Sequence, residues 1–114
     1  MSGCIFCQIV NGEAPGRIVH RDALVTAFHD RRPISALHLL IVPNEHIASL
    51  NELDESHSAL AAHLLFTAQR LAAQMGVAEK GYRLVMNTGR DGGQSVAHLH
   101  LHLIAGRLAG WHLG

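Results

Sequence analysis

Apolar and polar positions alternate most strictly over residues 96–104, Val-Ala-His-Leu-His-Leu-His-Leu-Ile. Successive side chains of a strand point to opposite faces, so this period of two predicts a half-buried strand with Leu99, Leu101 and Leu103 on one face and His98, His100 and His102 on the other. Elsewhere the period changes. Ile5, Phe6, Ile9 and Val10 recur at helical spacing and stop at Asn11-Gly12, which predicts a short helix over 5–11. β-rich runs at 17–20 and 24–29, split by Arg21-Asp22-Ala23, read as a hairpin, and the apolar run 38–42 closed by Pro43 as a central strand. Leu60, Leu64, Ala68, Leu71 and Met75 mark one face of a long helix over about residues 54–75, capped by Asp54 or Ser56 and ended by Gly76. His57 and His63 lie on that helix with no evident partner and are expected to face solvent. Residues 81–87 form a further strand before a glycine-rich turn. Strands outnumber helices and most connections are short, so the expected class is α+β with an antiparallel sheet, one long helix and a short N-terminal helix.

Length and charge narrow the functional classes. A chain of 114 residues makes one domain, able to remove about two-thirds of its unfolded surface from water. Nine basic and nine acidic residues cancel, so no basic stripe argues for nucleic acid or a membrane surface. With one lysine among the basic residues, any phosphate must be held by Arg, His and backbone N–H groups. No apolar run approaches the ~20 residues of a membrane span, and residues 1–4 lack the character of a secretory signal, so a cytoplasmic protein is expected.

Ten histidines are what the composition most needs explained. The outer pair of the alternating stretch lies about four rises of ~3.3 Å apart, too far for both to ligate one zinc at ~2.0–2.1 Å. At least one histidine must therefore do something else. The preceding turn, Asn87-Thr88-Gly89-Arg90-Asp91-Gly92-Gly93-Gln94-Ser95, supplies the N–H, amide and hydroxyl donors that suit an anionic oxygen. Cys4 and Cys7, the only cysteines, are spaced C-x-x-C. A thioredoxin-like pair would need a preceding strand, for which there is no room; two incidental buried cysteines and half of a zinc site completed by histidines both stay open.

The stretch GGQSVAHLHLHL resembles the signature of the histidine triad (HIT) superfamily, and its Gly-Gly-Gln-Ser-Val form, with Ala105-Gly106-Arg107 and Trp111 beyond, resembles the histidine triad nucleotide-binding (Hint) branch. The diadenosine polyphosphate hydrolase branch usually has Thr at the position of Ser95. The resemblance implies a single HIT domain over 1–114 with a HIT-like fold. It implies a structural zinc held by Cys4, Cys7, His46 and His98, with no metal needed for the chemical step. On the same pattern His100 and His102 are catalytic, His100 as the nucleophile that forms a nucleotidyl intermediate. Phe6 and Ile9 wall the base pocket beside Phe28 and His29, Asp30 takes the ribose hydroxyls, and Asn87, Gly93, Gln94, Ser95, Val96 and His102 surround the phosphate. Arg31 departs from the family, which commonly has an apolar residue against the base. The implied activity is hydrolysis of purine nucleoside phosphoramidates, AMP-type substrates with a P–N bond, by a homodimer whose Trp111 reaches the partner's site. A dinucleoside polyphosphate hydrolase, a nucleotide-binding scaffold with incidental turnover, and metal-dependent hydrolysis at paired histidines are the competing expectations.

Overall fold

A computed structural model describes residues 3–106, so Trp111 and the tail around it lie outside the described residues. Its elements are α1 (Ile5–Val10), β1 (Ile18–Arg21), β2 (Val25–His29), β3 (Leu37–Pro43), α2 (Ser58–Gln74), β4 (Arg83–Val85) and β5 (Leu101–Ala105). The strands form one antiparallel sheet in the order β1-β2-β3-β5-β4. This is the α+β arrangement expected from the pattern.

Both faces of the sheet are covered, which explains why β3 reads as a continuous apolar run. On one face Val25, Ala27, Leu39, Ile41, Leu101 and Leu103 pack against Leu60, Leu64, Ala68 and Leu71 of α2. Phe28, Leu40 and Val42 point the other way and pack against Phe6 and Ile9 of α1. A single strand thus serves two cores through its period of two.

The histidine stretch departs from the expected strand. Only residues from Leu101 onward pair in the sheet, and residues 96–98 bend. The Leu99 amide donates to Ile47 O at 2.7 Å and the His98 amide to Val96 O at 2.8 Å, so the N-terminal half of the stretch bonds to loops rather than to a ladder. Alternation persists across the bend, with Leu99 in the α2 core and His100 against Phe6. Nor is the histidine face open: α1 covers it, leaving His98 fully buried and His100 only 3% exposed.

The long helix starts later than its pattern suggests. Residues Glu55–His57 form a 3-10 turn with Asp54 as N-cap, its carboxylate accepting from the Ser56 amide while His57 Nδ1 accepts from the Asp54 amide. This is a capping box with histidine in the place usually held by Glu or Gln. His57 and His63, expected to lack partners, both have one, His63 through Asp22.

Candidate active site

A cleft of about 820 Å³ opens on the α1 side of the sheet, within the size range of small-molecule sites. Phe6 and Ile9 of α1 and Phe28 and Leu40 of the sheet give it an apolar wall, while Asp30, Ser95, His100 and His102 give it polar groups. Phe6 sets the relative positions of the wall and the histidines. Its ring meets Phe28 edge-on with centroids 5.5 Å apart and His100 edge-on at 5.1 Å.

The tautomers of the two cleft histidines follow from their partners. His100 Nδ1 lies 2.7 Å from the His98 carbonyl, to which it can only donate, so Nε2 keeps an unprotonated lone pair on a ring that lines the cleft. For His102 the logic starts one residue away, at His38. The Ile34 amide donates to His38 Nδ1, leaving the His38 proton on Nε2, which donates to His102 Nδ1 at 2.9 Å. His102 therefore carries its own proton on Nε2. Adjacent imidazoles, 5.0 Å apart between centroids, thus hold opposite tautomers, one presenting a lone pair at Nε2 and the other an N–H donor.

Burial, reinforced by His100 and His38 and opposed by Asp30, pushes the His102 pKa down to about 4. His38 is likewise lowered by burial against the opposing charge of Asp30, whose Oδ2 is 3.3 Å from His38 Nε2. Both rings are thereby kept neutral at neutral pH, as the tautomer assignment requires. Sequence reasoning missed His38. Its only signal was a polar residue inside the run Leu37-His38-Leu39-Leu40-Ile41-Val42, which the central-strand pattern otherwise fills with apolar side chains.

Of the residues expected around a nucleotide, Phe6, Ile9, Phe28, His29, Asp30, Ser95, Val96, His100 and His102 line the cleft, whereas Asn87, Gly93 and Gln94 do not. The turn itself explains the last two. The Gly93 amide donates to Arg90 O, and Gln94 spends its side chain on Gly89 N, Ala48 O and Val96 O, so that it builds the turn. A side chain at Gly92 would put Cβ 2.3 Å from Thr88 O, and Gly93 has φ of 81°, so both glycines are required by the turn's shape. Asp30 accepts the Arg32 amide on Oδ1 at 2.8 Å, starting the turn after β2 while still facing the cleft.

Behind the cleft, Cys4, Cys7, His46 and His98 converge, their ligand atoms all within 4.8 Å of one another. His98 Nε2 donates to the Pro43 carbonyl at 2.9 Å, which leaves the Nδ1 lone pair aimed at two sulfurs, 3.3 Å from Cys4 and 3.5 Å from Cys7. His46 Nδ1 is 3.2 Å from Cys7 Sγ. Bonds of ~2.3 Å to sulfur and ~2.05 Å to nitrogen put tetrahedral ligands ~3.6 Å apart, so the cluster has close to the spacing of a Cys2His2 zinc site. The backbone carbonyl that orients His98 is the outer-shell partner such ligands usually have.

The chain and its fold have counterparts among known proteins. A family model described as the HIT domain matches residues 11–109. The purine nucleoside phosphoramidase of Escherichia coli K12 is 45% identical over 106 residues, 93% of this chain and 89% of that protein. A HIT family hydrolase from Legionella pneumophila superposes with a TM-score of 0.93 at 46% identity, covering 98% of this chain and all of the other. A zinc-bound histidine triad family protein from Mycobacterium smegmatis superposes with a TM-score of 0.79 at 30% identity, covering 95% of this chain and 78% of that one. With the family model matching most of its length and relatives this similar, the chain belongs to the HIT (histidine triad) family.

Proposed function

We propose that this protein is a purine nucleoside phosphoramidase of the Hint branch, hydrolysing the P–N bond of AMP-like phosphoramidates through an adenylate carried on His100. The observation that carries the reading is the His100 Nδ1–H bond to the His98 carbonyl, which leaves Nε2 as a lone pair in the cleft and stabilises the imidazolium formed on attack. In the first step His100 Nε2 bonds to phosphorus as the P–N bond breaks, the nitrogen taking up a proton from solvent so that it leaves as the amine. Water then cleaves the new bond and releases AMP. His102 Nε2–H and Ser95 hold phosphoryl oxygens, Asp30 accepts from the ribose hydroxyls, and the base lies against Phe6, Ile9 and Phe28. Gly93 and Gln94 shape the phosphate-side turn from outside the cleft.

Zinc held by Cys4, Cys7, His46 and His98 is proposed as a structural tie for the N-terminus and takes no part at phosphorus. A homodimer is proposed with it, supported by β4 standing at a sheet edge and by Leu65 and Phe66 of α2, each more than half exposed. A cytoplasmic setting belongs to the same proposal; no described helix is long and apolar enough to cross a membrane.

The test compares turnover of adenosine phosphoramidate with that of a diadenosine polyphosphate by purified protein. Preference for the phosphoramidate is expected. Preference for the polyphosphate would assign the protein to the rival hydrolase class, and tight AMP binding with background turnover of both would make it a binding protein.

A further inference from the structure

A third histidine cluster lies on the α2 side of the sheet, on the face opposite the cleft, and neither the proposed hydrolysis nor the cysteine cluster uses it. His20 comes from β1, Asp22 from the turn into β2, and His63 from α2. They meet at one atom. Asp22 Oδ2 lies 2.6 Å from His20 Nε2 and 2.7 Å from His63 Nε2. The other carboxylate oxygen is committed, since Oδ1 accepts the Leu24 and Val25 amides at 2.8 and 2.9 Å. The carboxylate is therefore fixed in rotation and presents Oδ2 alone to the two imidazoles.

Two nitrogens and one oxygen, all within 4.8 Å of one another, make a tridentate set. The three side chains are 31%, 29% and 26% exposed, so an ion can reach them from solvent and keep water in its remaining positions. Imidazole with a single carboxylate oxygen suits a divalent transition ion and falls short of the six or more oxygens that calcium takes. Bonds of ~2.0–2.1 Å would set the ligand atoms ~3.3 Å apart, wider by ~0.6 Å than the present hydrogen-bond distances of 2.6 and 2.7 Å from Asp22 Oδ2 to the two rings. Partly exposed histidines reach that by small side-chain rotations. Each neutral ring ligates through Nε2 by carrying its proton on Nδ1.

We propose that His20, Asp22 and His63 form a second metal site, a solvent-accessible His2Asp centre for a divalent transition ion such as Zn²⁺, which clips the β1–β2 hairpin to α2. Its position away from the cleft makes it a site of stability. It is independent of the reading of the cleft.

Equilibrium dialysis of the full-length protein against Zn²⁺ alone should show about one more bound equivalent per chain in the wild type than in His63→Gln or His20→Gln. Because the comparison is a difference, it holds whatever the cysteine cluster binds. In the wild type, Zn²⁺ should also shift the Nε2 resonances of His20 and His63 in ¹⁵N spectra, and should raise the thermal midpoint more than in either variant. Equal metal content in all three proteins, or Nε2 resonances unmoved by millimolar Zn²⁺, would overturn the site and leave a His–Asp–His hydrogen-bond clamp.

Discussion

An imidazole has two nitrogens, and what each histidine can do here depends on which of them is already engaged. His100 has spent Nδ1 on the His98 carbonyl, His98 has spent Nε2 on Pro43, and His102 accepts at Nδ1 from His38. Three residues of one type in one stretch are thereby given three different capacities. Replacing the first tests the nucleophile: His100→Asn should leave AMP binding nearly intact and lower hydrolysis by more than the ~10²–10⁴-fold typical of losing a general acid or base. The adenylate trapped by rapid quench should map to His100 in the wild type and be missing from the variant. A rate within about tenfold of wild type, a barrier change of only ~1.4 kcal/mol, would remove the covalent route. The spacing of His98, His100 and His102 and the C-x-x-C pair were legible in the sequence because both patterns are local. His38 was not, because its hydrogen-bond partner His102 is 64 residues away and only the β3–β5 register brings them together.

Of the two α-helices, α1 is the shorter and carries the more duties. It walls the cleft with Phe6 and Ile9, covers the histidines, and is capped by Cys4, whose sulfur accepts the Cys7 amide. A six-residue helix is too short to be stable alone, so the proposed metal ties it down. Cys4→Ala should thus lose zinc in metal analysis and lower the thermal midpoint, at about 4 °C per kcal/mol for a domain of this size, with a smaller effect on turnover once the protein is folded. Helix α2 offers the opposite test. Thr67 faces the core at 1% exposure, and its hydroxyl has no hydrogen-bond partner among the described residues. Thr67→Val keeps the shape and removes the stranded hydroxyl, so it should stabilise the fold by about 1 kcal/mol in denaturant titration. Helix and strand positions were legible because each has an apolar period. The early end of the histidine strand was not, since it depends on the Leu99 amide bonding to Ile47 in a distant loop.

At the scale of the molecule, one sheet separates the face that carries the cleft from the face that packs on α2, and the period of two in β3 and β5 is what makes that possible. That much could be read from alternation alone; how far the histidine face is closed could not, because it depends on α1 folding back from the N-terminus. Exposed Leu65 and Phe66 and the β4 edge then argue for a second copy, and light scattering at micromolar concentration should give the mass of a dimer. Closure of the histidine face also fixes the response to acid. Burial leads in lowering the pKa of His29, His38 and His102, the last to about 4, so the folded protein binds fewer protons than the unfolded chain, where histidine titrates near 6.5. Stability is then fully present above about pH 6.5, and it should fall as pH drops toward 4. Asp22 extends the loss below that window: burial pushes its carboxyl up, but the bonds from His20, His63 and the Val25 and Leu24 amides outweigh this and hold it well below the usual carboxylate range. Thermal midpoints measured from pH 7.5 to 4.5 should therefore decline steadily, and His102→Gln, which cannot take up the proton, should decline less steeply. Parallel curves for the two proteins would mean that His102 titrates in the folded state as it does in the unfolded chain, and that the donor tautomer assigned to it is not held by burial.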